Sequence, residues 1–118
     1  MKQGKRWGTT ELIFSGPNIE FHKIDFNKGG KCSVHVHEHK YNGFYVSHGI
    51  LDVRVWELDD STFTQTRLRA GDFMVVKPLL MHQFRGATQG CGFELYWTGW
   101  EGEDVLRKTI NMRHEEFS

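Results

Sequence analysis

The sequence predicts an all-β domain, an antiparallel sandwich or small barrel, that ends in one short C-terminal α-helix. Glycine is abundant, with 13 residues, whereas the chain has only two prolines. Between the glycines lie short segments in which apolar and polar residues alternate, as they do in strands with one buried face. Only the last stretch, GEDVLRKTINMRHEEF, instead has apolar residues at helical spacing.

The candidate strands follow one another at even spacing. The first, ELIF at 11–14, is closed by the turn signal SGPN. The others are 19–26, 32–39, 43–49, 50–58, 62–68, 73–76 and 91–98; of these, 62–68 has an exposed character and 73–76 a buried one. We therefore expect a single domain over 1–118, with a β core over about 9–98 and a helix over about 102–115.

Composition excludes several classes of function. Fifteen basic residues balance fifteen acidic ones, so the formal net charge is zero and nothing indicates a nucleic-acid or membrane partner. The N-terminus has no apolar run long enough for a signal peptide, which predicts a cytoplasmic protein. The two cysteines, Cys32 and Cys91, are far apart and are expected to be free thiols.

Histidines are the most informative residues of the chain. His35 and His37 alternate on a candidate strand, so both imidazoles should project from one face, about 7 Å apart along the chain. A barrel can bring His82 opposite this pair. Imidazole is a good ligand for Zn, Fe, Cu or Ni. From the residues alone, the pair fits a metal site and hydrogen-bonded structural histidines about equally well.

The segment GGKCSVHVHEHKYNGFYVSHG resembles the first motif of the cupin superfamily: a glycine, His-x-His, a glutamate and a second glycine. The matching positions here are Gly29, His35, His37, Asn42 and Gly49, with asparagine where the family has its glutamate. This resemblance implies a cupin jelly-roll β-barrel.

A second segment, GDFMVVKPLLMHQFRG, resembles the second cupin motif. Its glycine is Gly71 and its histidine is His82. The proline and glycine that are usual between them fall on Lys77 and Leu79, so an atypical turn is expected there.

The two motifs together imply a divalent metal ion, Zn, Fe, Mn or Ni, held by His35, His37 and His82. Asn42 would be an optional fourth ligand, because an amide offers only a neutral carbonyl oxygen. His39 has the same parity as the pair and is either a spare ligand or, if the strand turns before it, a solvent-facing side chain.

A closer resemblance extends over residues 5–108. KRWG at 5–8 and FELYWTGWEGEDVLRK at 93–108 are similar to the opening and closing stretches of the cupin domain of type II mannose-6-phosphate isomerases. That family interconverts mannose 6-phosphate and fructose 6-phosphate with a divalent metal. The resemblance implies that Arg107 could meet the phosphate. The base is not assigned, and the nearby residues Glu38, His39 and Tyr41 are its candidates.

Three functions stay open from the sequence. The first is a metal-dependent enzyme acting on a small polar substrate, with sugar-phosphate isomerisation as the leading hypothesis. The others are an Fe(II) dioxygenase that uses the three histidines, and a non-catalytic cupin that binds a carbohydrate or another ligand. Basic residues around the pocket would indicate a phosphate, and an aromatic wall an uncharged ring. We also expect a homodimer, in which 9–26 pairs with a neighbouring sheet edge and the tryptophans at 97 and 100 add apolar area.

Overall fold

The computed structural model describes residues 2–59 and 61–99, and in those residues the chain is all-β and antiparallel, as predicted. The described strands are β1 (Lys2–Lys5), β2 (Gly8–Ser15), β3 (Ile19–Phe26), β4 (Lys40–His48), β5 (Leu51–Trp56), β6 (Phe63–Leu68), β7 (Phe73–Val76), β8 (His82–Gly86) and β9 (Gly90–Thr98). They form a six-stranded sheet in the order β1-β2-β3-β9-β4-β7 and a three-stranded sheet in the order β6-β5-β8. The helix predicted over 102–115 lies outside the described residues. None of the described residues belongs to a helix long and apolar enough to cross a membrane.

The hydrophobic core lies between the two sheets and follows from strand alternation. In β5, the side chains of Leu51 and Val53 are fully buried on the inner face, while Asp52 lies on the other face. Phe44 of β4 and Phe84 of β8 meet from opposite sheets, with ring centroids 5.9 Å apart. In these strands, apolar residues that face inward alternate with residues that face outward, and the inward ones pack against those of the other sheet.

Several strand predictions need correction. The strands at 19–26 and 73–76 are confirmed, but 32–39 is not a regular strand, because it makes only isolated bridges at Lys31 and His35. The strand at 73–76 is not buried, since Phe73 and Val75 are 51% and 41% exposed on the outer face. The sequence did not predict β1 and β8, which are short and largely polar.

The expected mode of dimerisation also needs correction. The segment 9–26 has no free edge, because β2 pairs with both β1 and β3, and β3 pairs with β9. The edges of the large sheet are β1 and β7. Cys32 and Cys91 are both free thiols, as expected.

Candidate metal centre

The segment around His35 lies along β8 and is fixed there by backbone hydrogen bonds. The N–H of His35 donates to the carbonyl of His82 at 3.1 Å, and the N–H of His82 donates back at 2.9 Å. Residues that exchange both hydrogen bonds stand directly opposite each other and project to the same face. This pairing places the side chain of His82 beside those of His35 and His37.

The three imidazoles form one compact cluster. Their ring centroids are 5.3 Å apart for His35 and His37, 4.6 Å for His35 and His82, and 5.4 Å for His37 and His82. One ring nitrogen of each residue lies within 4.8 Å of the others. Small side-chain rotations would bring these nitrogens to the separations that a common ion with bonds of about 2 Å requires.

The hydrogen bonds of the rings suit metal ligation. The Nδ1 atoms of His35 and His82 each lie 2.9 Å from the carbonyl oxygen two residues earlier, Ser33 and Leu80. In His35, an N–H donated there leaves Nε2 as the acceptor, which is the arrangement found around metal-bound histidines. In His82, both ring nitrogens face oxygen acceptors, the Leu80 carbonyl and the Asn42 amide. The Nε2 atom of His37 is buried and has no hydrogen-bond partner. A buried imidazole nitrogen without a partner, beside two further imidazoles, fits a metal-binding site.

The surroundings of His37 and His82 favour their neutral forms. The pKa of His82 is lowered to about 4, mainly by burial and to a lesser extent by the charges of His35 and His37, while the hydrogen bond to the Leu80 carbonyl opposes the shift. The pKa of His37 is also lowered, first by burial and then by the charges of His35 and Lys40. Neutral imidazole is the form that binds a metal, so His37 and His82 need not lose a proton to bind one at neutral pH.

Asn42 reaches the cluster from the other sheet. Its Oδ1 atom lies 2.9 Å from Nε2 of His82, and its Nδ2 atom donates to the carbonyl of Leu95 at 3.1 Å. The second bond fixes the amide so that the oxygen faces the imidazole. Asn42 and His82 would therefore both be placed to hold one divalent ion.

The loop before His82 contains the atypical turn that the sequence indicated. Leu79, in the place of the usual glycine, has a φ of 73°, and its N–H donates to the carbonyl of His37 at 2.7 Å. This left-handed conformation costs an L-residue roughly 1–2 kcal/mol. The loop therefore keeps the hydrogen bond from Leu79 to His37 although the backbone conformation of Leu79 is unfavourable.

We expect Leu79→Gly to stabilise the fold by about 0.5–1 kcal/mol, because glycine relieves the strain and Leu79 is mostly exposed. Thermal unfolding should show a Tm higher by a few degrees. Leu79→Ala is the control, since it removes the same side chain but keeps the strained φ. Equal Tm values for the two variants would contradict the argument.

A cavity of about 740 Å³ opens beside the cluster and is bordered by His35 and His37. Its wall includes Glu94 and Tyr96 of β9, which the sequence analysis did not identify as site residues. Glu94 is 5% exposed, and its Oε2 atom has no hydrogen-bond partner. Burial raises its pKa, an effect that Tyr96, Asn42 and His22 partly oppose. The sequence did hold a signal that could have identified Glu94 as a site residue: it is a glutamate at an inward-facing position of an otherwise apolar strand.

Of the remaining sequence-predicted candidates, Glu38, His39 and Tyr41 do not border this cavity. His39 has a side chain 79% exposed and follows the point where the segment turns, so it faces solvent. Tyr41 lies on the outer face of the large sheet and stacks on Trp97 with an interplanar angle of 7°. Arg107 lies outside the described residues.

Comparisons with known proteins give the fold. No protein-family model matches the chain, and no curated protein matches its sequence. Among solved structures, KdgF from Halomonas sp. is similar with a TM-score of 0.72 and 19% identity, over 85% of this chain and 89% of that one. An RmlC-like cupin from Shewanella frigidimarina has a TM-score of 0.67 and 25% identity, over 82% and 81%.

An oxalate decarboxylase from Lactobacillus farciminis, solved as a formate complex, has a TM-score of 0.72 and 16% identity, over 83% of this chain and 30% of that one. These likenesses confirm the cupin fold that the two motifs implied. The closer resemblance to mannose-6-phosphate isomerases stays a prediction from the sequence.

Proposed function

We propose that this chain, which has the cupin fold, is a metal-dependent enzyme that moves a proton on a small polar substrate, with sugar-phosphate isomerisation as the leading reaction. His35, His37 and His82 would hold the ion, with Asn42 as an auxiliary oxygen ligand. The observation that carries the proposal is the buried, unpartnered Nε2 of His37 beside two imidazoles whose Nδ1 atoms face backbone carbonyls.

The chemistry requires a Lewis acid and a proton-transfer group. A divalent ion bound to the histidines would polarise a substrate carbonyl and stabilise the oxyanion of an enediol. Glu94 is the best-placed group to carry the proton, because it borders the cavity and one of its oxygens is unpartnered. Tyr96 lies between this carboxylate and the cluster, with its ring 5.1 Å from that of His37. We assign Glu94 the role of base, for which the sequence offered Glu38, His39 and Tyr41.

The cavity lining favours a charged, hydrogen-bonding substrate over an uncharged ring. Among the described residues, basic side chains and the carboxylates of Glu20 and Glu94 border it, and the aromatic side chains there besides the histidines are Trp7, Phe84 and Tyr96. The similar oxalate decarboxylase, a formate complex, shows that a related fold accepts a small oxyanion. A dioxygenase that uses the same three histidines with Fe(II) remains the second candidate, since a neutral ligand set also suits iron.

The test is elemental analysis of the purified chain, followed by an assay of mannose 6-phosphate and fructose 6-phosphate interconversion with the metal found. Zinc or manganese with isomerisation supports the proposal. Iron with substrate-dependent oxygen uptake supports the dioxygenase. A chain that binds no divalent metal under any condition would contradict both and favour a ligand-binding role.

The proposal includes a cytoplasmic homodimer whose contact is the outer face of the large sheet. Aromatic pairs cover this face: Phe21 stacks on Phe93 at 5.1 Å, and Tyr41 on Trp97 at 5.6 Å. Phe73 projects from the same face and is half exposed. The chain has no net charge, so two copies do not repel each other, and face-to-face packing would remove this apolar surface from water.

Light scattering at micromolar concentration should therefore give twice the chain mass of 13.8 kDa. Phe73→Lys should shift the mass to that of one chain, because it places a charge in the contact. Leu58→Lys, at a 73% exposed position in the turn before β6, should leave the dimer intact. A monomeric wild type would contradict this part of the proposal.

A further inference from the structure

The turn between β1 and β2 is anchored against the body of the fold by Trp7. The indole is buried and packs edge-on against Phe84, with ring centroids 4.9 Å apart. The carbonyl of Trp7 accepts a hydrogen bond from the N–H of Asn27 at 2.8 Å. The residues that precede Trp7 therefore have a fixed position at the cavity wall, although their side chains are exposed.

A second segment comes into contact with this turn at Gly30. A Cβ atom at Gly30 would lie 2.7 Å from the carbonyl oxygen of Trp7 and 2.8 Å from its Cα. Only glycine permits this approach of the two backbones. The approach brings the next residue, Lys31, beside the residues of the β1–β2 turn.

Three cations border the same cavity as the histidines and flank this contact in the chain: Lys5 and Arg6 precede Trp7, and Lys31 follows Gly30. Among the described residues, none of the three has a carboxylate within salt-bridge distance, whereas Lys40 on the cavity wall lies 3.7 Å from Glu20. Clustered cations without counterions raise the local potential of a cleft even when the whole chain is neutral. The cluster is therefore available to a ligand that brings its own negative charge.

We propose that Arg6 and Lys31, with Lys5 beside them, form an oxyanion subsite that binds the phosphate or carboxylate group of the substrate at the cavity wall. The inference rests on the proposed function, because it places the charged end of the substrate that the histidine centre acts on. A guanidinium can meet two oxygens of such a group at once, and an ammonium adds a point charge beside it. The subsite fixes the anionic end of the substrate through side chains that are not metal ligands.

Isothermal titration of the full chain with inorganic phosphate, and separately with malonate, tests the subsite. Both probes are compact oxyanions, and the tighter one identifies the group that the subsite prefers. We expect wild type to bind at least one probe with a Kd in the low millimolar range or tighter, and more weakly as salt is added. Arg6→Gln and Lys31→Gln should each weaken that binding by about tenfold, the loss of one charge-assisted contact.

Arg69→Gln is the matched control, because it removes one positive charge from an exposed position that does not border the cavity. Its binding of both probes should equal that of wild type. Equal weakening in all three variants would reduce the subsite to general charge attraction and overturn it. The subsite would also be overturned if wild type bound neither phosphate nor malonate at about 20 mM.

The same titrations in His37→Ala separate this inference from the proposed function. If the cations form the subsite, His37→Ala should still bind the probe while failing to hold metal. The opposite result would overturn the subsite: Arg6→Gln and Lys31→Gln bind the probe as wild type does, whereas His37→Ala no longer binds it. That result would place the anion on the metal. Metal retained by His37→Ala would overturn the metal centre and leave the subsite standing.

Discussion

His37→Ala should abolish stoichiometric binding of a divalent metal while leaving the fold intact. The Nε2 atom of His37 is buried and unpartnered, and it completes a set of three nitrogens within 4.8 Å. The variant would keep only His35 and His82, and loss of one of three ligands removes most of the affinity. Elemental analysis after dialysis measures the change.

His39→Ala is the control for this variant. His39 is two residues away and its side chain is 79% exposed, so metal content should stay at the wild-type value. A second readout is thermal stability, because a metal whose free concentration is 100 times its Kd stabilises the folded state by about 2.7 kcal/mol. The stabilisation by added metal should be present in wild type and His39→Ala and absent in His37→Ala. Equal metal content in all three proteins would end the metal hypothesis.

Glu94→Gln should lower kcat for sugar-phosphate interconversion by about 10²–10⁴ without changing the metal content. Glutamine keeps the shape of the side chain but cannot accept the proton. The change removes no metal ligand, since only the histidines and Asn42 are assigned that role. Steady-state kinetics on metal-loaded protein, with metal content determined on the same sample, gives both quantities.

Glu38→Gln is the matched control, because Glu38 is close in sequence to His37 but its side chain is 79% exposed. Its kcat should equal that of wild type.

Glu94→Gln should also stay folded. Burial raises the pKa of Glu94, so the wild-type protein loses folding stability as the pH rises through that pKa. The glutamine variant should lack this loss. A Glu94→Gln protein with wild-type kcat would remove Glu94 from the mechanism.

Local sequence predicted much of the strand content because alternation is a property of neighbouring residues. The strand at 19–26 was predicted with its observed limits, since every second residue from Glu20 to Phe26 packs inward. The same rule placed His35 and His37 on one side of their segment, whereas Val34 and Val36 face outward. It did not predict that 32–39 lacks regular pairing, because pairing depends on which backbone lies alongside.

Sequence by itself determined the fold class, the two motifs and the three histidines, because periodicity and motif spacing are written along the chain. Only the tertiary structure decided the working surroundings of that site. It set Asn42 against His82 from the opposite sheet and placed Glu94 in the cavity wall. It also put Lys31 and Arg6 on the wall of the same cavity, where Gly30 approaches Trp7. These contacts join residues far apart in the chain, and their partners are chosen by sheet pairing and packing rather than by local preference.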